Sequence, residues 1–146
     1  MPSGQNASSV QQNDRSHSFD KGVFERNRAK WLESNIRNYS FNIAASGFLR
    51  PFLPALIEVQ GSKYVSAKPL EHSENKHWVD TYKSLKLTTI EEIFMFIELE
   101  STRKPAVLET LYDDKYGFPI SVIVDRDKSM ADDELSFSLT NFKVKD

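Results

Sequence analysis

The stretch VLETLYDDKYGFPISVIVD, from Val107 to Asp125, decides the fold class. Its first six residues alternate between the two sides of the chain, which is the two-residue period of a β-strand. Asp113 to Gly117 supplies turn residues, and the alternation resumes at Ile120, Val122 and Val124. Strands joined by a short turn are antiparallel neighbours. The stretch therefore predicts a hairpin in an antiparallel sheet.

The same alternation predicts four more strands. One begins at Tyr39 and one ends the chain, running from Leu135 through Val144. The other two predicted strands, 55–59 and 64–67, lie between these and flank the turn residues Gln60-Gly61-Ser62-Lys63, as in a β-hairpin. The clean alternation indicates a sheet with one solvated face, so the other face needs a cover.

Two amphipathic helices supply that cover. The first is predicted over Phe19 to Asn35, with Asp20 as its N-cap. The second carries an apolar stripe and begins with a capping box formed by Thr88 and Glu91. The stripe consists of Ile90, Ile93, Phe94 and Ile97. A shorter helical turn is indicated where Trp78, Tyr82 and Leu85 recur at helical spacing.

The predicted fold class is α+β, with an antiparallel sheet of about six strands in the order α-β-β-β-α-β-β-β and the helices packed on one face. The chain has 146 residues, which is the size of one domain. Residues 1–18 hold too little apolar surface to offset the entropy of ordering them, and are predicted to be a disordered tail or linker. Residues 19–146 form the predicted single domain.

Composition excludes several classes of function. The net charge of −2 provides no field that would draw the chain to nucleic acid, and the absence of cysteine excludes disulfides and thiolate chemistry. No stretch is apolar enough for a transmembrane segment or a signal peptide. Charge is uneven, however, because residues 88–134 hold twelve acids and five bases.

The densest group of acids is the main candidate for a metal site, ahead of a zinc site at the histidine cluster Glu71, His72, Glu74 and His77. Clustered carboxylates are the hard oxygen ligands that calcium prefers. An EF-hand is excluded, because Met130 stands where that loop needs glycine and Ser136 where it needs a bidentate glutamate. Another loop geometry could still hold calcium, and paired acids could support hydrolysis. The candidate ligands are Asp125, Asp127, Asp132, Asp133 and Glu134. No catalytic or cofactor-binding residue is otherwise indicated.

An apolar loop is the candidate for binding a partner. In the segment GFLRPFLP, from Gly47 to Pro54, one glycine and two prolines are interspersed with four large apolar residues. Such residues either fold against the core or present a patch to a protein or peptide partner. The candidates are Phe48, Leu49, Phe52 and Leu53.

A resemblance to a known family rests on particular residues. They are the run from Leu111 to Asp125, the run Ala131 to Leu135, and weaker matches at Trp31, 39–41 and 89–94. The chain resembles a mostly bacterial family of envelope proteins or lipoproteins, known only as a domain of unknown function (DUF6174). The resemblance implies an extracytoplasmic protein, secreted, periplasmic or lipid-anchored, with any anchor attached ahead of the tail. It implies no activity and no site residues.

The sequence thus favours a non-enzymatic extracytoplasmic binding or interaction domain. Two alternatives stay open at this point. One is a calcium-binding domain built on the acidic loop, with a hydrolytic function as an extension. The other is a structural component of the envelope.

Overall fold

The computed structural model describes residues 17–48, 52–72, 78–129 and 133–145. Its strands are β1 (His17–Ser18), β2 (Tyr39–Gly47), β3 (Ala55–Gln60), β4 (Lys63–Pro69), β5 (Val107–Tyr112), β6 (Pro119–Asp125) and β7 (Glu134–Val144). Its helices are α1 (Lys21–Ser34), α2 (Trp78–Leu85) and α3 (Ile90–Thr102). The predicted α+β fold and element order are confirmed, with β1 as an addition inside the range assigned to the tail.

The strands form one antiparallel sheet in the order β1-β5-β6-β7-β2-β3-β4. Each three-stranded half is a meander, and the two halves join where β7 pairs with β2 over most of its length. This places β7, the last strand of the chain, beside β2, the first long strand, at the centre of the sheet. The two edges are β4 and the two-residue β1, which pairs with Glu109 and Thr110 of β5.

The core lies between the helices and one face of the sheet. Strand residues on that face are almost fully buried, among them Phe41, Ile57 and Val124. Helix α1 packs on it through Trp31, whose ring contacts Tyr39, Phe118 and Phe142 at right-angled or near right-angled orientations. Helix α3 adds the predicted stripe, every member of which is buried.

The ends of the helices follow local chemistry. The Asp20 side chain accepts a hydrogen bond from the Val23 N–H, as expected for an N-cap. Asn35, the last residue of the predicted helix, caps the end of α1 in the left-handed conformation. Helix α3 is capped by Thr89, which accepts from the Glu92 N–H, and not by the predicted Thr88. The N-cap therefore lies one residue later than predicted, and the Glu92 carboxylate accepts from the N–H and hydroxyl of Thr88, the residue before the cap.

Among the described residues, no helix is long and apolar enough to cross a membrane.

Candidate functional site

The acidic turn does not gather its carboxylates around one point. Asp125 and Glu134 are directly opposed across β6 and β7, whereas Asp127 accepts hydrogen bonds from the backbone and hydroxyl of Ser129. These hydrogen bonds lower the pKa of the Asp127 carboxyl below its ordinary value. Asp133 contributes its backbone carbonyl to the Arg126 N–H. Asp132 lies outside the described residues.

Within the described part of the chain, no three acidic or histidine side chains are close enough to hold a metal ion. Opposed like charges such as Asp125 and Glu134 destabilise a strand pair. One oxygen of Asp125 is also buried without a hydrogen bond to the described residues. Among the described residues, Asp125 and Glu134 are the two predicted ligands that face each other, and calcium binding at this turn stays a prediction.

The apolar loop packs against the core. Phe48, Phe52 and Leu53 are each half-buried and contact core residues. The Phe52 ring lies 5.4 Å from that of Tyr82, and the Leu53 carbonyl accepts a 2.6 Å hydrogen bond from the Tyr82 hydroxyl. Leu49 lies outside the described residues. The described residues of this loop thus pack on the core, and partner binding through them stays a prediction.

An exposed apolar surface lies instead on α3. Met95 is 54% exposed and Leu99 is 57% exposed. They stand four residues apart and so are neighbours on one side of the helix, outside the buried stripe. Isolated exposed apolar residues are ordinary on a protein surface, but this pair borders a recess lined further by Leu85 and Phe96.

That recess is a groove between the end of α2 and the outer face of α3, which we call the α3 groove. Its volume is about 230 Å³, and its lining also includes Lys86, Glu92, Glu100, Arg103 and Arg126. One wall is held by the Phe96 ring, which packs edge-on against Phe137 of β7 at 5.8 Å. The groove is therefore built on rigid elements of the fold.

An ion-pair cluster centred on the buried Glu100 lies at the Arg103 end of the α3 groove. Glu100 is only 2% exposed. Its carboxylate accepts hydrogen bonds from Arg103 Nη1 at 2.9 Å and from Arg126 Nε and Nη2 at 3.1 and 2.8 Å. These bonds raise the pKa of the Arg126 guanidinium. Both arginines keep their outer sides in contact with solvent, and Arg126, with two hydrogen bonds to Glu100, is held more firmly than Arg103, with one.

Phe48 determines where the Arg126 side chain lies. The Arg126 guanidinium carbon lies 4.7 Å from the centre of the Phe48 ring, a cation–π contact. Gly47 makes that position available, because its φ is +122° and a Cβ atom there would lie 2.0 Å from the Glu134 carbonyl oxygen. A residue predicted to bind a partner thus supports one wall of the groove from beneath.

Sequence reasoning missed the residues of the α3 groove. A signal for Met95 and Leu99 was present, since both are apolar and lie off the stripe that faces the sheet. The sequence carries no signal for the ion-pair cluster, because Glu100 and Arg126 are separated by 26 residues and meet only when β6 ends beside α3.

Comparison with known proteins shows the family and nothing finer. Residues 23–144 match a family described as a family of unknown function (DUF6174). No curated protein and no solved structure matches the chain. The match covers the sheet from β2 to β7 and the three helices almost entirely. The chain therefore belongs to the DUF6174 family of unknown function.

Proposed function

We propose that this chain is a non-enzymatic binding domain and that its α3 groove takes an apolar side chain of a protein partner. The observation that carries the proposal is the exposure of Met95 and Leu99 beside the recess lined by Leu85 and Phe96. The extracytoplasmic location implied by the family resemblance is part of the same proposal.

The size of the groove favours one side chain over a whole small ligand. Its volume of about 230 Å³ falls below the roughly 300–1,000 Å³ typical of small-molecule sites. Protein interfaces, by contrast, obtain much of their affinity from a few large anchors that fill shallow pockets. A groove of this size, bordered by two exposed apolar residues, has the dimensions of such an anchor pocket.

The free edge of the sheet is a weaker place for a partner. Strand β4 has Lys63 and Lys68 exposed, ends at Pro69, and is interrupted by a register shift beside Val65. Lysine, proline and bulges are the features by which edge strands resist pairing with another strand. We therefore locate binding at the groove and not at this edge.

The experiment is selection of a displayed library of random twelve-residue peptides on the purified protein. Recovered peptides are then tested against Leu99→Asp, with Leu32→Asp as the matched control, because Leu32 is 64% exposed on α1 outside the groove. We expect Leu99→Asp to weaken binding at least tenfold and Leu32→Asp to leave it unchanged. Recovery of no peptide, or equal binding to both variants, would overturn the proposal.

The calcium alternative is favoured by one observation, the opposition of Asp125 and Glu134. A cation between them would relieve their repulsion. It is tested by the thermal midpoint in chelator and in millimolar calcium. A rise that Asp125→Asn abolishes would support it, and an unchanged midpoint would count against it.

A further inference from the structure

We infer that the partner's apolar anchor stands next to a carboxylate, so that the α3 groove recognises an acidic, apolar peptide segment. This inference rests on the proposed function and specifies its ligand. It is carried by Arg103 and Arg126, which stand at the end of the groove with N–H donors that the described residues leave unused.

The two arginines have donors to spare. Arg103 donates one hydrogen bond to Glu100, and Arg126 donates two. A guanidinium carries several more N–H donors than these, arranged in a planar fork that suits carboxylates. Because Glu100 and Phe48 fix the guanidinium of Arg126, little side-chain entropy remains to be lost when an anion binds.

The charge of the groove also favours an anion. Its lining includes three bases, Lys86, Arg103 and Arg126, and two acids, Glu92 and Glu100. Both acids are already engaged, Glu92 through the backbone and hydroxyl of Thr88 and Glu100 through the arginines. Three bases against two acids give the lining a net charge of +1, while Asp133 acts on Arg126 from outside the lining.

Apolar surface and positive charge lie side by side in this groove. Leu99 and Glu100 are consecutive in α3, and Arg103 follows three residues later on the same side as Glu100. A ligand must therefore present an apolar group and an anionic group within a few ångströms of each other. An aspartate or glutamate beside a leucine or phenylalanine, or an apolar C-terminal residue, meets that requirement. The groove's volume of about 230 Å³ is also smaller than the roughly 300–1,000 Å³ of sites that enclose a whole ligand, which disfavours a long acyl chain.

The test uses three small probes with the isotope-labelled protein: N-acetyl-phenylalanine, its uncharged amide, and octanoate. Binding is followed by the chemical shifts of the Leu85, Met95, Phe96 and Leu99 amides. We expect N-acetyl-phenylalanine to bind roughly tenfold more tightly than the amide, as a charge-assisted hydrogen bond predicts. Arg103→Gln should remove this preference, and raising the salt concentration should reduce it. Arg28→Gln, on α1, is the matched control and should keep it.

The outcomes separate the inference from the proposed function. Equal binding of the acid and the amide at the groove would overturn the inference and leave the proposed function standing. Tighter binding of octanoate than of N-acetyl-phenylalanine would overturn it in favour of a lipid ligand. Absence of any shift at the groove with all three probes would overturn both.

Discussion

The Tyr39 hydroxyl donates a 2.9 Å hydrogen bond to Glu91 Oε1 and accepts one of 2.9 Å from the Ile90 N–H. The other oxygen of Glu91 accepts from Trp31 Nε1 at 2.9 Å. One carboxylate therefore joins α1, α3 and β2. Burial and the neighbouring carboxylate raise the pKa of the Tyr39 hydroxyl, so it stays protonated and keeps donating at physiological pH.

Replacement of Tyr39 by phenylalanine should destabilise the domain. The change leaves the buried N–H of Ile90 without its acceptor and removes one partner of Glu91, for an expected loss of about 1–3 kcal/mol in the free energy of unfolding. Urea unfolding measures it. Tyr116→Phe is the control, because the Tyr116 hydroxyl has no hydrogen bond to the described residues. Equal losses in the two variants would contradict the structural role of the Tyr39 hydroxyl.

Removal of the charge on Glu100 should be costly, and removal of the charge on Glu98 should not. Glu100→Gln leaves two guanidinium groups facing a neutral amide, with an expected loss of about 1–3 kcal/mol. Both arginines are partly exposed, so the effect stays below that of a fully buried pair. Glu98 contacts Arg28 at 3.6 Å on the surface, and Glu98→Gln should cost less than about 1 kcal/mol. Thermal unfolding compares the two variants.

Gly117 should tolerate no larger residue, in contrast to Gly61. Both have positive φ, +81° and +57°, but a Cβ on Gly117 would lie 2.3 Å from the Asn27 carbonyl oxygen, whereas one on Gly61 meets nothing within 4 Å. Gly61→Ala should therefore cost only the conformational strain of about 1–2 kcal/mol. Gly117→Ala should cost clearly more, since α1 must move. Similar unfolding midpoints for the two variants would show that this contact is not tight.

Alkaline pH should weaken the fold through Tyr82. Burial raises the pKa of its hydroxyl from 10.0 to about 12. Between those values the unfolded chain loses this proton and the folded chain keeps it, so stability falls as pH rises above about 10 and is unaffected below. The stability difference between the wild type and Tyr82→Phe, from urea unfolding at pH 8 to 11.5, should shrink above pH 10. A constant difference would contradict the raised pKa.

The fold was predictable because its strands and helices follow from short-range patterns of apolar and polar residues. The two-residue and helical periods of the chain gave the strands and helices, and Asp20 marked the start of α1. The cap of α3 was misplaced because Thr88 and Thr89 each precede a glutamate by three residues. Geometry decides between them, since Glu91 is already bound to Trp31 and Tyr39 and only Glu92 is left for capping.

The candidate site was less predictable because it depends on distant contacts. The run from Leu111 to Asp125, on which the family resemblance rests, packs against α1. Gly117 lies against that helix, and the Lys30 ammonium donates a hydrogen bond to the Asp114 carbonyl. Phe48 belongs to the apolar segment predicted to bind a partner, yet its ring lies beneath the Arg126 guanidinium. Local composition could not show which apolar residues the tertiary fold leaves uncovered.

Binding at the α3 groove is tested most directly by a chemical-shift titration of the isotope-labelled protein with a peptide recovered from the random library. We expect the largest shifts on the amides of Leu85, Met95 and Leu99, and we expect these shifts to vanish in Leu99→Asp. Shifts centred on the β4 edge or on the acidic turn at 125–134 would contradict it.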